Sequence, residues 1–281
     1  MIYISTTFTK DNSSIKKSLS KLKKFKINNV ELGSNHKYEK NYNFIKKNEF
    51  NYLVHNYFPV PKKNIIINIA SQIKKIRQES IKQVKKSINF SKKIGAKLYT
   101  FHPGFLTDPD GTNQSDKNYD FLWQKDLSNN KNYEHAWKNM TISLKEIILF
   151  AKKKGVKIAI ETEGSINASE HLLMQRPSEF LKFKKIFSKN DIGINLNIGH
   201  LNLASKVFNF DKIKFVKQIE NYIVAMELSH NSGKNDDHLP LKKNEWYWKI
   251  INNKKFKLTP KILEFRNTSI DKIYKQLRFF T

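Results

Sequence analysis

The chain has 281 residues, of which 52 are lysine or arginine and 25 are aspartate or glutamate, and its net charge is +27. It contains no cysteine, which excludes disulfides, cysteine-ligated zinc, iron–sulfur clusters and thiol nucleophiles. No apolar run approaches the roughly 18 residues that a membrane span needs, and residues 1–10 show no leader pattern. We therefore expect a cytoplasmic protein with no membrane partner.

The positive charge is carried almost entirely by lysine, because only four of the basic residues are arginine. Lysine, asparagine and isoleucine, which dominate the composition, all have A/T-rich codons, and the lysines are scattered along the chain. Proteins that read nucleic acids depend more on arginine, whose planar group suits phosphate and guanine. We attribute the charge to codon bias, and a nucleic-acid partner is the less favoured alternative.

Short apolar runs of strand type alternate along the chain with longer amphipathic stretches. The predicted strands cover residues 1–5, 29–32, 52–55, 97–102, 157–161, 192–197, 224–228 and 261–265. The predicted helices cover roughly 14–25, 38–47, 69–94, 133–154, 177–187, 211–222, 243–252 and 269–279.

This alternation predicts an α/β fold, namely a single (β/α)₈ TIM barrel domain over residues 1–281. A doubly wound open sheet is the structural rival, but the first strand is not followed by a glycine-rich phosphate loop. A long loop at about 105–132 follows the fourth strand. Loops of this length are usually functional, so we expect it either to cover the barrel mouth or to serve packing or dimer formation.

Most of the predicted strands are closed by a residue that can bind a metal ion. These residues are His55, His102, Glu161, Asn197, His230 and Glu264, and His200 and His238 follow two of them. From Glu161 onward they recur at steps of 36, 33 and 34 residues, about one strand–helix unit each. Because the strands of a parallel barrel all end on one face, these side chains should converge around a common axis. Such a group of imidazoles and carboxylates predicts a divalent-cation site.

The order of these residues and three motifs resemble the xylose isomerase-like barrel superfamily. The motifs are NIGH at 197–200, SHNSGKNDDHLPL at 229–241 and ILEFR at 262–266. The superfamily includes sugar and sugar-phosphate isomerases and epimerases, inosose dehydratases and endonuclease IV-type AP endonucleases. The resemblance covers nearly the whole chain and implies the same barrel fold.

The resemblance also implies a set of metal ligands. A Glu, an Asp, a His and a Glu on successive strands hold the cation in the family, and they match Glu161, Asn197, His230 and Glu264. The endonuclease branch holds further metals through residues that match His55, His102, His200, Asp236 and His238. Asn197 departs from the pattern, because an amide oxygen can coordinate but brings no negative charge. The implied cofactor is a divalent ion, which is Zn, Mn, Co or Mg.

The leading functional hypothesis is a metal-dependent sugar or sugar-phosphate isomerase or epimerase. In the sugar enzymes that the chain resembles, the cation polarises a carbonyl group while two carboxylates move a proton, and these match the catalytic candidates Glu161 and Glu264. His200 and His238 would then bind sugar hydroxyls. Arg266 would either clamp a carboxylate or phosphate of the substrate or form a salt bridge.

Two other functions stay open. A phosphodiesterase of the AP-endonuclease type would use the near-complete set of histidines and acids and the basic charge, although the short spacing between His230 and Asp236 favours the isomerase branch. A degenerate barrel that only binds a sugar or a protein partner would explain Asn197. The sequence leaves the oligomeric state open, a homo-oligomer included.

Overall fold

Eight parallel strands close into a barrel in the computed structural model, which describes residues 1–63, 65–109, 111–114, 119–122, 130–166 and 171–280. The strands are β1 (Ile2–Ser5), β2 (Asn29–Leu32), β3 (Asn51–His55), β4 (Leu98–Phe101), β5 (Gly111–Gln114), β6 (Tyr119–Leu122), β7 (Lys157–Glu161), β8 (Gly193–Asn197), β9 (Ile223–Leu228) and β10 (Lys261–Leu263). Around the barrel they follow the order β1, β10, β9, β8, β7, β4, β3, β2, and β2 pairs with β1 to close the ring. β5 and β6 form a separate antiparallel hairpin. The predicted TIM barrel is confirmed.

The α-helices of the described residues lie between these strands. They are α1 (Ile15–Lys24), α2 (Lys74–Ile94), α3 (Asn130–Lys154), α4 (Pro177–Ile186), α5 (Ile198–Val207), α6 (Lys212–Ile219), α7 (Trp248–Ile251) and α8 (Ile270–Leu277). Short 3₁₀ helices cover Thr6–Phe8, Glu220–Tyr222 and Lys254–Phe256. Across the described part of the chain, no helix combines the length and the apolar character needed to cross a bilayer.

The side chains that point into the barrel form two successive layers, one apolar and one polar. One small cluster inside the barrel consists of Tyr3, Leu53, Leu98, Ala159, Ala225 and Ile262, each from a different strand. Side chains two positions further along a strand face the same side. In the same chain order, those positions hold Ser5, His55, Thr100, Glu161, Glu227 and Glu264, all of them buried. The inward-facing residues therefore form an apolar layer and, next to it, a layer rich in acids and histidines, which we call the ionisable layer.

The outward-facing side chains of the strands make the main core against the helices. Val54, Tyr99, Ile160, Leu196 and Met226 are fully buried members of this core. Gly95 ends α2 in the left-handed conformation with φ 76°. A residue with a side chain is strained in that conformation, which makes glycine the favoured helix end here.

Several predicted helix boundaries are wrong. Residues 38–47 form turns rather than a helix, although Tyr42 and Ile45 still pack into the core. α2 begins at Lys74 rather than near residue 69, because side-chain hydrogen bonds of Asn68 and Ser71 hold the preceding residues in turns. The predicted helix at 243–252 is reduced to Trp248–Ile251, and α5 was missed.

His36 is a buried histidine outside the ionisable layer, and we expect it to make the protein less stable in acid. Burial lowers its pKa from 6.5 to about 4, and its Nε2 atom has no hydrogen-bond partner. The unfolded chain therefore takes up a proton that the folded protein excludes as the pH falls from 6.5 towards 4. The contribution to the free energy of unfolding is fully present above pH 6.5 and decreases by about 2 kcal/mol at pH 5.

The measurement is urea unfolding of the wild type and of His36→Gln at pH 7 and pH 5. The variant should lose less stability than the wild type over this interval, by about 2 kcal/mol. Both proteins share every other titrating group, so the difference isolates His36. Equal losses would contradict the prediction.

Candidate active site

The ionisable layer lies at the carboxyl ends of the barrel strands, the end that carries the active site in TIM-barrel enzymes. Its buried members are Glu31, His55, Glu161, Asn195, Asn197 and Glu227 from the strands, with Glu163, His200, His238 and Glu264 from the segments that follow them. Asp236, from the segment after β9, is partly exposed. His102 is partly exposed, since β4 ends at Phe101 and the histidine lies one residue beyond. The structure thus brings together, at one end of the barrel, these predicted residues: His55, His102, Glu161, Asn197, His200, Asp236, His238 and Glu264.

The first group of possible metal ligands consists of His55, His102 and Glu161, whose ligand atoms all lie within 4.8 Å of one another. Glu161 Oε2 is 3.6 Å from His55 Nε2 and 3.8 Å from His102 Nδ1. This oxygen is buried and has no hydrogen-bond partner. The other oxygen, Oε1, accepts from Asn197 Nδ2 at 2.9 Å and lies 3.0 Å from His200 Nδ1. Glu161 is therefore fixed on one side and free to bind a ligand on the other.

The second group consists of His200, Asp236 and His238, again within 4.8 Å of one another. Asp236 Oδ2 is 2.8 Å from His238 Nε2 and 3.5 Å from His200 Nε2. On its other side, His238 Nδ1 lies 3.2 Å from Glu264 Oε2. The residues from SHNSGKNDDHLPL and ILEFR therefore meet at one edge of the site.

The third group consists of Glu31, His55 and Glu227. His55 Nδ1 is 3.4 Å from Glu227 Oε1 and 2.8 Å from the Thr100 hydroxyl. Sequence reasoning missed Glu31, Glu227 and Glu163. For Glu31 and Glu227 the signal was a single acid inside an otherwise apolar strand, NVEL and IVAMEL, at an inward-facing position.

Asn197 lies next to Glu161, as predicted, but its amide points its nitrogen, rather than its oxygen, towards the neighbouring acids. Nδ2 donates to Glu161 Oε1 at 2.9 Å and to Glu227 Oε2 at 3.1 Å, while Oδ1 accepts from the backbone N–H of His200 as the N-cap of α5. The carboxylate that Asn197 lacks is present next to it as Glu227. Asn195 behaves similarly, because its Nδ2 donates to Glu227 Oε1 at 2.7 Å.

Charge balance in the site comes from histidines. Burial alone would lower the pKa of His102, but Glu163 and Glu161 raise it to about 9. Asp236 and Glu264 likewise overcome burial and the charge of Arg266 to raise the pKa of His238 to about 9. These histidines are therefore cations at neutral pH when no metal is bound.

The acids divide into two kinds. Burial would raise the pKa of Glu161 and of Glu264, but neighbouring histidines lower both. In contrast, burial and then repulsion between the carboxylates raise the pKa of Glu31 and of Glu227 well above the ordinary range. Two of the acids are therefore matched by protein cations, and two are not.

His230 is not brought into any of the three groups of ligands formed by the described residues. It lies two residues beyond the end of β9 and makes an antiparallel bridge with Leu239, so its ring meets Tyr247 edge-on and its Nδ1 is 4.0 Å from Glu245. The β9 residue that faces Asn197 is Glu227 instead. Arg266 lies at the rim, with Nη2 4.0 Å from Asp236 Oδ2.

The loop after β4 contains the β5–β6 hairpin and runs into α3, which begins at Asn130. Its first residues are tied to the loop after β7, because Leu106 N donates to His171 O and the Thr107 hydroxyl contacts His171 Nδ1. Much of the predicted 105–132 insertion, Trp123 included, lies outside the described residues. Its role as a lid stays a prediction.

Gly164 sets how closely the loop after β7 approaches α5. A methyl group at this position would overlap the backbone of His200. The absence of a side chain therefore lets Thr162 O reach His200 Nδ1 at 2.9 Å, which orients that ring.

Comparisons with known proteins agree with this architecture. The model of the xylose isomerase-like TIM barrel family matches residues 30–280. The chain is 25% identical over 206 residues to MJ1614 of Methanocaldococcus jannaschii, covering 73% of this chain and 68% of that protein. It is 22% identical over 178 residues to MJ1311 of the same organism, covering 62% of this chain and 52% of that protein. The chain thus spans only about half the length of MJ1311.

Solved structures share the fold at low identity. A D-tagatose 3-epimerase-like protein is 21% identical with a TM-score of 0.73, and the match covers 99% of this chain and 95% of that one. A D-psicose 3-epimerase, determined in the presence of D-fructose, is 12% identical with a TM-score of 0.67, covering 99% and 97% of the two chains. Because the family model matches far more than half of the sequence, the chain belongs to the xylose isomerase-like TIM-barrel family.

Proposed function

We propose that the protein is a metal-dependent isomerase or epimerase of a sugar or sugar phosphate. The observation that carries the proposal is the placing of two ionised carboxylates, Glu161 and Glu264, in a layer of imidazoles. These acids follow β7 and β10, which are three strands apart in the ring of eight. They can therefore approach a sugar bound between them from different sides.

The donor set fits a divalent cation. Glu161 Oε2 is buried without a hydrogen-bond partner and faces His55 and His102, and a carboxylate with two imidazoles is a set that zinc-like ions prefer. These three residues would hold the ion, with Glu264 or Glu227 as further ligands. When bound, the ion would polarise a substrate carbonyl and acidify the neighbouring C–H bond.

The side chains would then move the proton. Glu161 would accept the proton from carbon, because nearby histidines keep its pKa low and its carboxylate ionised. On the other side, His238 Nδ1 lies 3.2 Å from Glu264 Oε2 and can supply a proton through it. Return of the proton to the opposite face of the same carbon gives an epimer, and return to the neighbouring carbon gives an isomer.

The relatives support this class of substrate. The D-tagatose 3-epimerase-like protein and the D-psicose 3-epimerase carry sugar chemistry in their names and share the barrel over nearly its full length. Arg266 and Asp236 at the rim offer groups that would hold a substrate phosphate or hydroxyls.

A deuterium-exchange assay tests the proposal. The protein loaded with Mn²⁺, Co²⁺ or Zn²⁺ is incubated in D₂O with a panel of ketoses and their phosphates, and the carbon-bound protons are followed by NMR. We expect exchange of a proton next to the carbonyl of at least one sugar, and none in protein stripped with a chelator. Absence of exchange with every sugar and every metal would refute the proposal.

The group His200, Asp236 and His238 favours a second candidate, a metal-dependent phosphodiesterase. This group is distinct from the first, and several cations held together can stabilise both oxygens of a phosphoryl displacement. The net charge of +27 would also suit a nucleic acid. Three zinc ions per chain and nicking of an abasic DNA duplex would support this function, and an absence of nicking would remove it.

A further inference from the structure

Glu31 carries a carboxylate that the proposed reaction does not use. It is completely buried in β2, and neither of its oxygens has a hydrogen-bond partner. His55 and Glu227 each offer a ligand atom that lies with one oxygen of Glu31 in a group within 4.8 Å of one another. A buried carboxylate with no partner destabilises a folded protein, as does the removal of one member of a buried ion pair.

No lysine or arginine of the described residues is paired with this acid. Within the parts of the chain that the structure describes, no lysine or arginine nitrogen lies within 4 Å of Glu31 or Glu227. His55 is the neighbour that Glu227 shares with Glu161, since its ring lies between these two acids. The other histidines of the site, His102, His200 and His238, lie against different acids, namely Glu163, Glu161, Asp236 and Glu264.

The hydrogen bonds of the site leave Glu31 out. Among the described residues, no donor reaches either of its oxygens in hydrogen-bond geometry. A further unsatisfied oxygen lies close by, since Asn195 donates to Glu227 with Nδ2 while its Oδ1 has no partner. Glu31 and Asn195 therefore present three buried oxygens to which none of the described residues donates a hydrogen bond.

We propose that Glu31, His55 and Glu227 form a second divalent-cation position, more deeply buried than the one at Glu161, His55 and His102. Two carboxylates and an imidazole give the mixed oxygen and nitrogen ligands that Zn²⁺, Co²⁺ and Mn²⁺ accept. His55 is common to both positions, with Nε2 towards Glu161 at 3.6 Å and Nδ1 towards Glu227 at 3.4 Å. An ion at the second position would neutralise Glu31 and Glu227, the two acids that no cation of the described residues matches.

The test is to count metal ions in wild type and in Glu31→Gln, a change that keeps the shape of the side chain. Chelator-stripped protein is reloaded with Zn²⁺ or Mn²⁺, freed of excess ion and analysed for metal per chain. We expect the variant to hold one ion fewer than the wild type, with a dissociation constant for the lost ion raised at least about 100-fold. The remaining ions should bind as in the wild type. Glu49→Gln, at an exposed acid paired with Lys23, is the matched control and should keep the full count.

A second readout separates metal binding from a structural role. In chelator-stripped protein, Glu31→Gln should be at least as stable to urea as the wild type, because it removes a buried acid that accepts no hydrogen bond and lies close to a second acid, Glu227. Added metal should stabilise the wild type more than the variant. An unchanged ion count, a single ion in the wild type, the loss of every ion in the variant, or a variant that is less stable when stripped would each overturn the inference. The count does not depend on sugar turnover, so failure of the exchange assay would leave it untouched.

Discussion

Glu161→Gln is expected to lower the rate of proton exchange in a sugar substrate by about 10³-fold or more. The amide can neither accept the proton nor carry the charge that the cation requires. Glu161 Oε2 is also the unpartnered oxygen facing His55 and His102, so affinity for the first metal ion should fall by at least about 100-fold. The measurements are the NMR exchange assay and metal titration.

The matched control is Glu146→Gln, which changes an exposed acid paired with Lys85 on the outer surface of the barrel. It should keep activity and metal content. If Glu161→Gln retains activity within tenfold of the wild type, Glu161 is not the base, and the proposed proton transfer has to be assigned to another carboxylate. Retained activity together with lost metal would instead indicate that the cation is not required.

Asn197→Asp is expected to destabilise the metal-free protein by about 3 kcal/mol or more at neutral pH. The substitution removes the two hydrogen bonds from Nδ2 to Glu161 and Glu227 and puts a third carboxylate about 3 Å from both. A bound divalent ion would relieve this repulsion, so the variant should regain stability when metal is added and should bind the ion more tightly than the wild type. Urea unfolding with chelator and with saturating Zn²⁺ or Mn²⁺ measures both effects.

Asn253→Asp is a suitable control, because Asn253 is an exposed N-cap and aspartate caps a helix equally well. Its stability should not depend on metal. A metal-free Asn197→Asp protein as stable as the wild type would show that the Asn197 amide does not bridge the two acids. If the wild type binds no metal while the variant does, the chain is a degenerate barrel, in which asparagine at position 197 prevents the binding of a cation.

The fold could be predicted from sequence because each strand is a short apolar run separated from the next by a helical pattern. The least reliable boundaries were those set by side chains that compete with the backbone, as Asn68 and Ser71 do before α2. The segment 38–47 has apolar residues at helical spacing, but the chain turns there while Tyr42 and Ile45 still reach the core.

The candidate site was predictable where an acid or histidine closes a strand, as with His55, Glu161 and Glu264. Glu31 and Glu227 lie inside strands and were missed, because only strand ends were considered. Side chains alternate between the two faces of a strand, and this alternation turns both acids inwards. The bridge between His230 and Leu239 could not be predicted from the strand pattern, because it forms after the strand has ended. Neither the direction of the Asn197 amide nor the contact of His102 with Glu163 can be derived without coordinates.

The close contact at Gly164 limits how this barrel can be re-engineered. Since a methyl group there would push against the backbone that presents His200, libraries aimed at new substrates gain nothing from diversifying this position. The rim that carries Arg266 and Asp236 is better suited to such libraries, because its side chains are partly exposed and lie outside the barrel strands.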